Sequence, residues 1–202
     1  MLGAWDARYD VAEFIFGTTP NVFLTQQAHR LHAGQRVLAV ADGEGRNGIW
    51  LAQQGLQVDA VDSSSVAQHK AQQLAQSRHA AVNFIHADLL NWEWPDAQYD
   101  AIVAIFIQFA TGTGRDAMFT GMKTATKLGG LIIIQGYTPR QLDYGTGGPS
   151  NAENMYTPSL LQDYFADWEI IHLQEHDEII EEGAHHSGMS ALIDLVVRKP
   201  LL

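Results

Sequence analysis

The residues most able to do chemistry form one run, Val37-Leu38-Ala39-Val40-Ala41-Asp42-Gly43-Glu44-Gly45-Arg46-Asn47. An apolar, β-branched stretch passes straight into a glycine turn, and the turn passes straight into a helix. Without a Cβ, the backbone at Gly43 and Gly45 can bend sharply and let a ligand come close. Asp62 closes the next apolar stretch. It follows the turn by about 20 residues, the spacing of a carboxylate that accepts from ribose hydroxyls. A third stretch ends in His86-Ala87-Asp88-Leu89, where the Asp88 carboxylate can accept from an adenine amino group. Turn, ribose carboxylate and adenine acceptor in that order describe a site for an adenosine-containing ligand, with Ser63, Ala87 and Leu89 beside the two carboxylates.

Two ligand classes fit such a site. Gly43-x-Gly45-x-x-Gly48 is a literal match to the dinucleotide pattern, which by itself has little specificity. An NAD(P)-dependent oxidoreductase is therefore one reading. Three features favour S-adenosylmethionine instead. Asp42 and Glu44 flank the turn, where they would repel a pyrophosphate but suit a cationic amine and a sulfonium. Asp88 gives adenine an anchor of its own. The chain also ends in an antiparallel strand pair, which belongs to methyltransferase topology.

The elements that must position these residues alternate between short apolar runs and helical stretches, the pattern of a parallel sheet flanked by helices. Strands are predicted at Gln35–Val40, Gln57–Asp62, Val82–Ala87, Tyr99–Phe106 and Gly130–Gly136. Helices are predicted at Gly45–Gln54, Ser64–Arg78, Arg115–Lys127 and Thr157–Phe165. Ala4–Phe16 and Asn21–Leu31 read as two further helices separated by Gly17-Thr18-Thr19-Pro20. Trp168–Ile179 and Met189–Arg198 read as two long strands joined by a turn containing Gly and His, hence an antiparallel pair. The sum is one domain, residues 1–202, with a seven-stranded mixed sheet. Tyr137–Thr157, rich in glycine, reads as a long irregular loop of the kind that often carries function.

Composition narrows the function further. The chain has 202 residues, 46% of them apolar, enough for one α/β domain with a sizeable core. It has no cysteine, which excludes disulfides, thiolate metal sites and a cysteine nucleophile. The formal net charge of −11, with no Lys/Arg cluster, disfavours nucleic acid and leaves a small molecule as the expected substrate. No apolar run is long enough to span a bilayer, and residues 1–10 do not read as a signal peptide, so a cytoplasmic protein is expected; its assembly, monomer or homodimer, is left open by the sequence.

Taken together, the segments resemble the class I methyltransferases, and among them the tellurite-resistance and thiopurine-type enzymes. The resemblance is carried by Trp5-Asp6-Ala7-Arg8-Tyr9, Gly17-Thr18-Thr19-Pro20-Asn21-x-Phe23-Leu24, Gly43-Glu44-Gly45-Arg46-Asn47, Val61-Asp62, Gln141-Leu142-x-Tyr144-x-Thr146-Gly147-Gly148-Pro149 and Glu182-Gly183-Ala184-His185-His186-x-Gly188. It implies a Rossmann-like sandwich whose N-terminal helices, residues 1–31, close over S-adenosylmethionine. Trp5 and Tyr9 then become lid residues, or else simply pack the first helix onto the sheet. Arg46 and Asn47 would contact the methionine carboxylate, or would cap the helix and order the N-terminal segment. Ile105 and Phe106 resemble the position that packs on adenine. Two departures stand out: Ala39 replaces a strand-end carboxylate, and Ala41 replaces the first glycine of the turn. These changes keep a non-catalytic cofactor-binding module in view.

The substrate-side candidates are Tyr137, Arg140, Tyr144, Tyr156, His185 and His186, placed after the fifth strand, in the glycine-rich loop and in the last turn. His172, His176, His185 and His186 fall in one short stretch, but nothing sets them on one face and no metal is expected.

Overall fold

The computed structural model describes residues 2–183 and 186–202. In chain order the elements are α1 (Leu2–Tyr9), α2 (Val22–Gln26), β1 (Arg36–Val40), α3 (Arg46–Gln53), β2 (Gln57–Asp62), α4 (Ser65–Ser77), β3 (Val82–His86), β4 (Tyr99–Ile105), α5 (Gly112–Ala125), β5 (Thr126–Tyr137), α6 (Gln141–Tyr144), α7 (Pro158–Tyr164), β6 (Glu169–Glu181) and β7 (Ser187–Arg198). Single 3-10 turns lie at Ala28–Arg30 and Ala152–Asn154.

The sheet has seven strands in the order β3-β2-β1-β4-β5-β7-β6. Strands β1 to β5 pair in parallel, and β7 runs antiparallel to both β5 and β6. The chain winds outward from β1 to β3 and then returns beside β1 as β4. That reversal opens a crevice at the carboxyl ends of β1 and β4, where ligands bind in such sheets.

Both faces of the sheet are covered. On one, Leu38, Ile102, Ile132, Ile134 and Leu195 pack against Met118, Phe119 and Met122 of α5 and Leu161 of α7. On the other, Val37, Ala39, Val103, Ile133 and Val196 meet Leu51 of α3 and Phe23 and Leu24 of α2. Successive residues of β1 and β4 are therefore buried alternately on opposite sides, which is why these strands are apolar throughout.

Several expected boundaries move for physical reasons. The first helix stops at Tyr9 rather than Phe16, because the Lys70 ammonium takes the carbonyls of Tyr9, Val11 and Glu13 at 3.4, 3.0 and 2.6 Å, oxygens a longer helix would use itself. The second helix ends at Gln26, and the chain then tightens into the 3-10 turn, with Arg30 N–H donating to the Gln27 carbonyl. The helix expected from Arg115 begins at Gly112 and ends at Ala125. Thr126 turns extended there, with its hydroxyl donating back to the Met122 carbonyl at 2.8 Å. The fifth strand accordingly starts at Thr126, and the loop after it contains α6. No helix among the described residues is long and apolar enough to cross a membrane.

Candidate functional site

The turn after β1 is built from left-handed backbone. Ala41, Gly43 and Gly45 have φ of +49°, +56° and +86°. Only glycine takes that region without steric cost, so the alanine at 41 is held there by its surroundings. Asp42 folds its carboxylate onto α3, where both oxygens accept from Gly48 N–H at 3.2 and 3.1 Å. The N-terminal end of a helix favours such a carboxylate. Even so, loss of water and the nearby Asp62 charge push the Asp42 carboxyl up to about 7.

Asp62 is the second fixed point. Its Oδ2 accepts from Gly43 N–H and its Oδ1 from Ser64 N–H, both at 2.8 Å. Burial raises its pKa above the ordinary carboxylate value, and these backbone donors oppose the rise. A carboxylate has about four lone-pair sites, so each oxygen keeps one for a further donor. Ser63 and Ala87 flank it half-buried, and Ala87 N–H is tied to the Asp62 carbonyl at 3.0 Å. Asp88 braces its own loop, accepting from Leu90 N–H at 3.1 Å and from the Asn91 amide at 2.9 Å, and Leu89 is buried beneath it. Ile105 is buried at the end of β4. Trp94 packs on Gly121 of α5, and Trp92 lies against it with ring centroids 4.9 Å apart.

The N-terminal segment covers the turn. Tyr9 is buried and stacked on Trp5 with ring centroids 5.8 Å apart. A Cβ placed on Gly43 would stand 2.7 Å from Tyr9 Oη, so lid and turn meet at a position only glycine can occupy. Asp6 fastens α1 to α4 by accepting from the Ser64 hydroxyl at 2.6 Å. Glu44, expected to face a cationic ligand, is instead buried in an ion pair with Lys70 at 2.5 Å. The same lysine that unwinds the first helix thus neutralises the turn's second carboxylate.

Arg46 and Asn47 both hold the N-terminal segment and its partners. Asn47 Oδ1 accepts from Asn21 N–H at 2.9 Å, and Arg46 forms a buried ion pair with Glu182 at 2.6 Å. From there a polar network crosses the molecule. The Asn21 amide donates to Glu182 at 2.8 Å and to Gln135 at 2.6 Å, the Gln135 amide donates to Asp194 at 2.7 Å, and His176 Nε2 lies 2.8 Å from the other Asp194 oxygen. These long-range partners were missed in the sequence. The available signal was a polar residue inside an apolar strand, Gln135 in β5 and Asp194 in β7, because buried polar groups require partners.

On the acceptor side the candidates separate. Tyr137 and His186 come together with Phe106 and Phe16, with ring centroids 4.7 Å apart for Phe106–Tyr137 and for Phe106–His186, and 4.5 Å for Phe16–His186. Phe106, directly after β4, has φ +55°, a strained backbone of the kind found at functional sites. Burial drives the Tyr137 phenol well above its ordinary pKa, and the Glu182 carboxylate adds to the rise. Arg140 and Tyr144 do not join this group: both bind the Asp177 carboxylate of β6 near the surface. Tyr156 is a core residue edge-on to Phe119, so its place among the substrate-side candidates is withdrawn. His185 lies outside the described residues. Among those described, no three His, Asp or Glu side chains converge as a metal site.

Residues 37–130 match the family described as methyltransferase domain. Over 77 residues the chain is 36% identical to the demethylmenaquinone methyltransferase of Deinococcus radiodurans, a match covering 37% of this chain and 32% of that protein. The chain thus spans about a third of that curated relative (32%). Two solved structures share the fold. One, from work on the conversion of a disulfide bond into a thioacetal group during echinomycin biosynthesis, superposes with TM-score 0.81 at 18% identity, covering 100% of this chain and 92% of the other. TehB from Haemophilus influenzae gives TM-score 0.73 at 17% identity, covering 96% and 65%. S-adenosylmethionine is the group that the sequence resemblance implies for this site. The residues present fit it: the Asp62 carboxylate, with lone pairs to spare, tied to the turn at Gly43, and the Tyr9 ring packed against that same turn.

Proposed function

We propose that this methyltransferase transfers a methyl group from S-adenosylmethionine to a small-molecule acceptor by in-line displacement. The observation that carries the reading is the tie between Gly43 and Asp62 at the β1/β4 crevice. It sets the turn and the ribose carboxylate at fixed separation, under the ring of Tyr9. Asp62 would hold the ribose hydroxyls, Asp88 and Leu89 the adenine, and the turn from Ala41 to Gly45 the methionine portion.

When bound, S-adenosylmethionine supplies a methyl group activated by the positive charge on its sulfur. An acceptor would have to lie in line with that methyl group, on the side away from the sulfur. The protein therefore has to align three atoms and exclude water. Tyr9, Phe16, Phe106 and His186 supply a wall of rings for the second task. A thiolate or other soft anionic acceptor needs no base at neutral pH, whereas a hydroxyl or an ammonium acceptor must first lose a proton.

Calorimetric titration with S-adenosylhomocysteine tests the assignment. A saturable isotherm is expected. No binding of it, together with clear binding of NADH, would transfer the chain to the oxidoreductases. Ala39, buried where the resembled enzymes carry a carboxylate, favours a second reading as a non-catalytic binding module. Turnover of any acceptor in a screen of thiols, selenite and amines would remove that reading.

A further inference from the structure

A cavity of about 500 Å³ lies over β5, β7 and β6, on the face that carries α2. The N-terminal strap from Phe16 to Gln26 closes it on one side and the end of β6 on the other. Its size is within the roughly 300–1,000 Å³ usual for small-molecule sites. Its level along the sheet is fixed by register. Gln135 pairs with Asp194, and both Tyr137 and His176 pair with Leu192. The cavity therefore opens at the carboxyl edge of the parallel strands. Leu192, which lines it, pairs directly with Tyr137, so its wall begins about one strand spacing, about 4.8 Å, from Tyr137.

Its charge has one sign. Glu178, Glu181, Glu182 and Asp194 line it, with His176 among them and, among the described residues, no lysine or arginine. Two of these carboxylates are already partnered: Glu182 faces Arg46 from α3, and Asp194 faces His176. Among the described residues Glu178 is paired with His176 alone, at 3.7 Å, and Glu181 is exposed on the rim. The excess is negative, and the apolar walls of Phe16, Phe23 and Leu192 concentrate its field.

We propose that this cavity binds a positively charged group, an ammonium or a guanidinium, on the methyl acceptor, leaving a separate nucleophilic atom of that acceptor to reach the crevice. This rests on the methyltransferase reading above. An acceptor that enters as an oxyanion or a carboxylate would meet the same four side chains and be repelled.

The test uses the full chain saturated with S-adenosylhomocysteine, titrated with three probes of one shape: tryptamine, neutral tryptophol and anionic indole-3-acetate. Tryptamine is expected to bind at least about tenfold more tightly than indole-3-acetate, with tryptophol between them. In the double variant Glu178→Gln/Glu181→Gln, both positions being exposed, tryptamine affinity is expected to fall about fivefold, while affinity for S-adenosylhomocysteine is unchanged. Absence of tryptamine binding, equal binding of the anion, or an unaltered tryptamine affinity in the variant would each overturn the proposal. If S-adenosylhomocysteine itself fails to bind, the methyltransferase reading falls first, so the two failures are distinguishable.

Discussion

Gly43 and Asp62, 19 residues apart, are joined by a 2.8 Å hydrogen bond from the Gly43 N–H to Asp62 Oδ2. One carboxylate thereby shapes the turn, and under the proposed function its remaining lone pairs would hold the ribose. Asp62→Ala should weaken S-adenosylhomocysteine binding by about 1–3 kcal/mol, the scale for losing hydrogen bonds to a buried polar group. Asp62→Asn, which keeps one acceptor oxygen, should lose less. Calorimetry on the three proteins measures both, and an unchanged dissociation constant in the alanine variant would show that Asp62 does not hold the ribose.

The Arg46–Glu182 pair is buried on both sides, with side-chain exposures of 8% and 7%. Removing one partner strands a charge. Glu182→Gln should therefore destabilise the fold by about 3–5 kcal/mol in urea unfolding. The double variant Arg46→Met/Glu182→Met should recover part of that loss, since it leaves no unpaired charge. Equal stability of the wild type and Glu182→Gln would mean the pair is solvated in solution.

Asp42 gives a pH signature. Its carboxyl is raised from 3.8 to about 7, chiefly by burial. A carboxyl raised on folding stabilises the fold while protonated. Its contribution is complete below the unfolded value and is lost as pH rises through the folded one. Asp62 and Asp194 are shifted the same way. Unfolding free energy should thus decline from about pH 4 to about pH 7. Asp42→Asn should make the decline shallower by up to about 1.4 kcal/mol per pH unit. Superimposable pH profiles would refute this role.

Gly183 should tolerate no side chain. Its φ is +77°, and a Cβ would fall 2.6 Å from Gly17 N, Ile15 O and Phe16 C, all backbone atoms that cannot rotate away. In Gly183→Ala the strap should lift from the β6–β7 turn, seen as faster amide exchange at residues 15–20 with the strands unaffected. Unaltered exchange there would show that the crossing can relax.

Much of the fold was legible because it follows from periodicity. The apolar runs at Val37–Val40 and Ala101–Ile105 had to be strands buried on both faces, and the glycines at 43 and 45 had to turn. The place of Asp62 at the end of β2, beside the turn, was legible because the apolar run before it is short and local. What was illegible depends on distant partners. Nothing near Glu44 in sequence announces Lys70, and nothing near Arg46 announces Glu182, 136 residues further on. The end of α1 was misjudged for the same reason: a lysine in α4 claims its carbonyls. Tyr156 failed as a site residue because its position after a glycine-rich loop does not reveal which side of the sheet its ring enters.

The network around Asn21 has a kinetic corollary. Its amide reaches Gln135 and Glu182 across 114 and 161 residues of chain. Contacts of such separation are slow to form, because a long loop must close before they can. On a ribosome the strap would emerge well ahead of the hairpin that receives it. It would have to stay undocked while the parallel strands assemble. Cofactor capture would then mark the completion of folding, and a chain stalled before Glu182 would carry the five parallel strands alone, with β6 left without its neighbour β7 and the crevice uncovered.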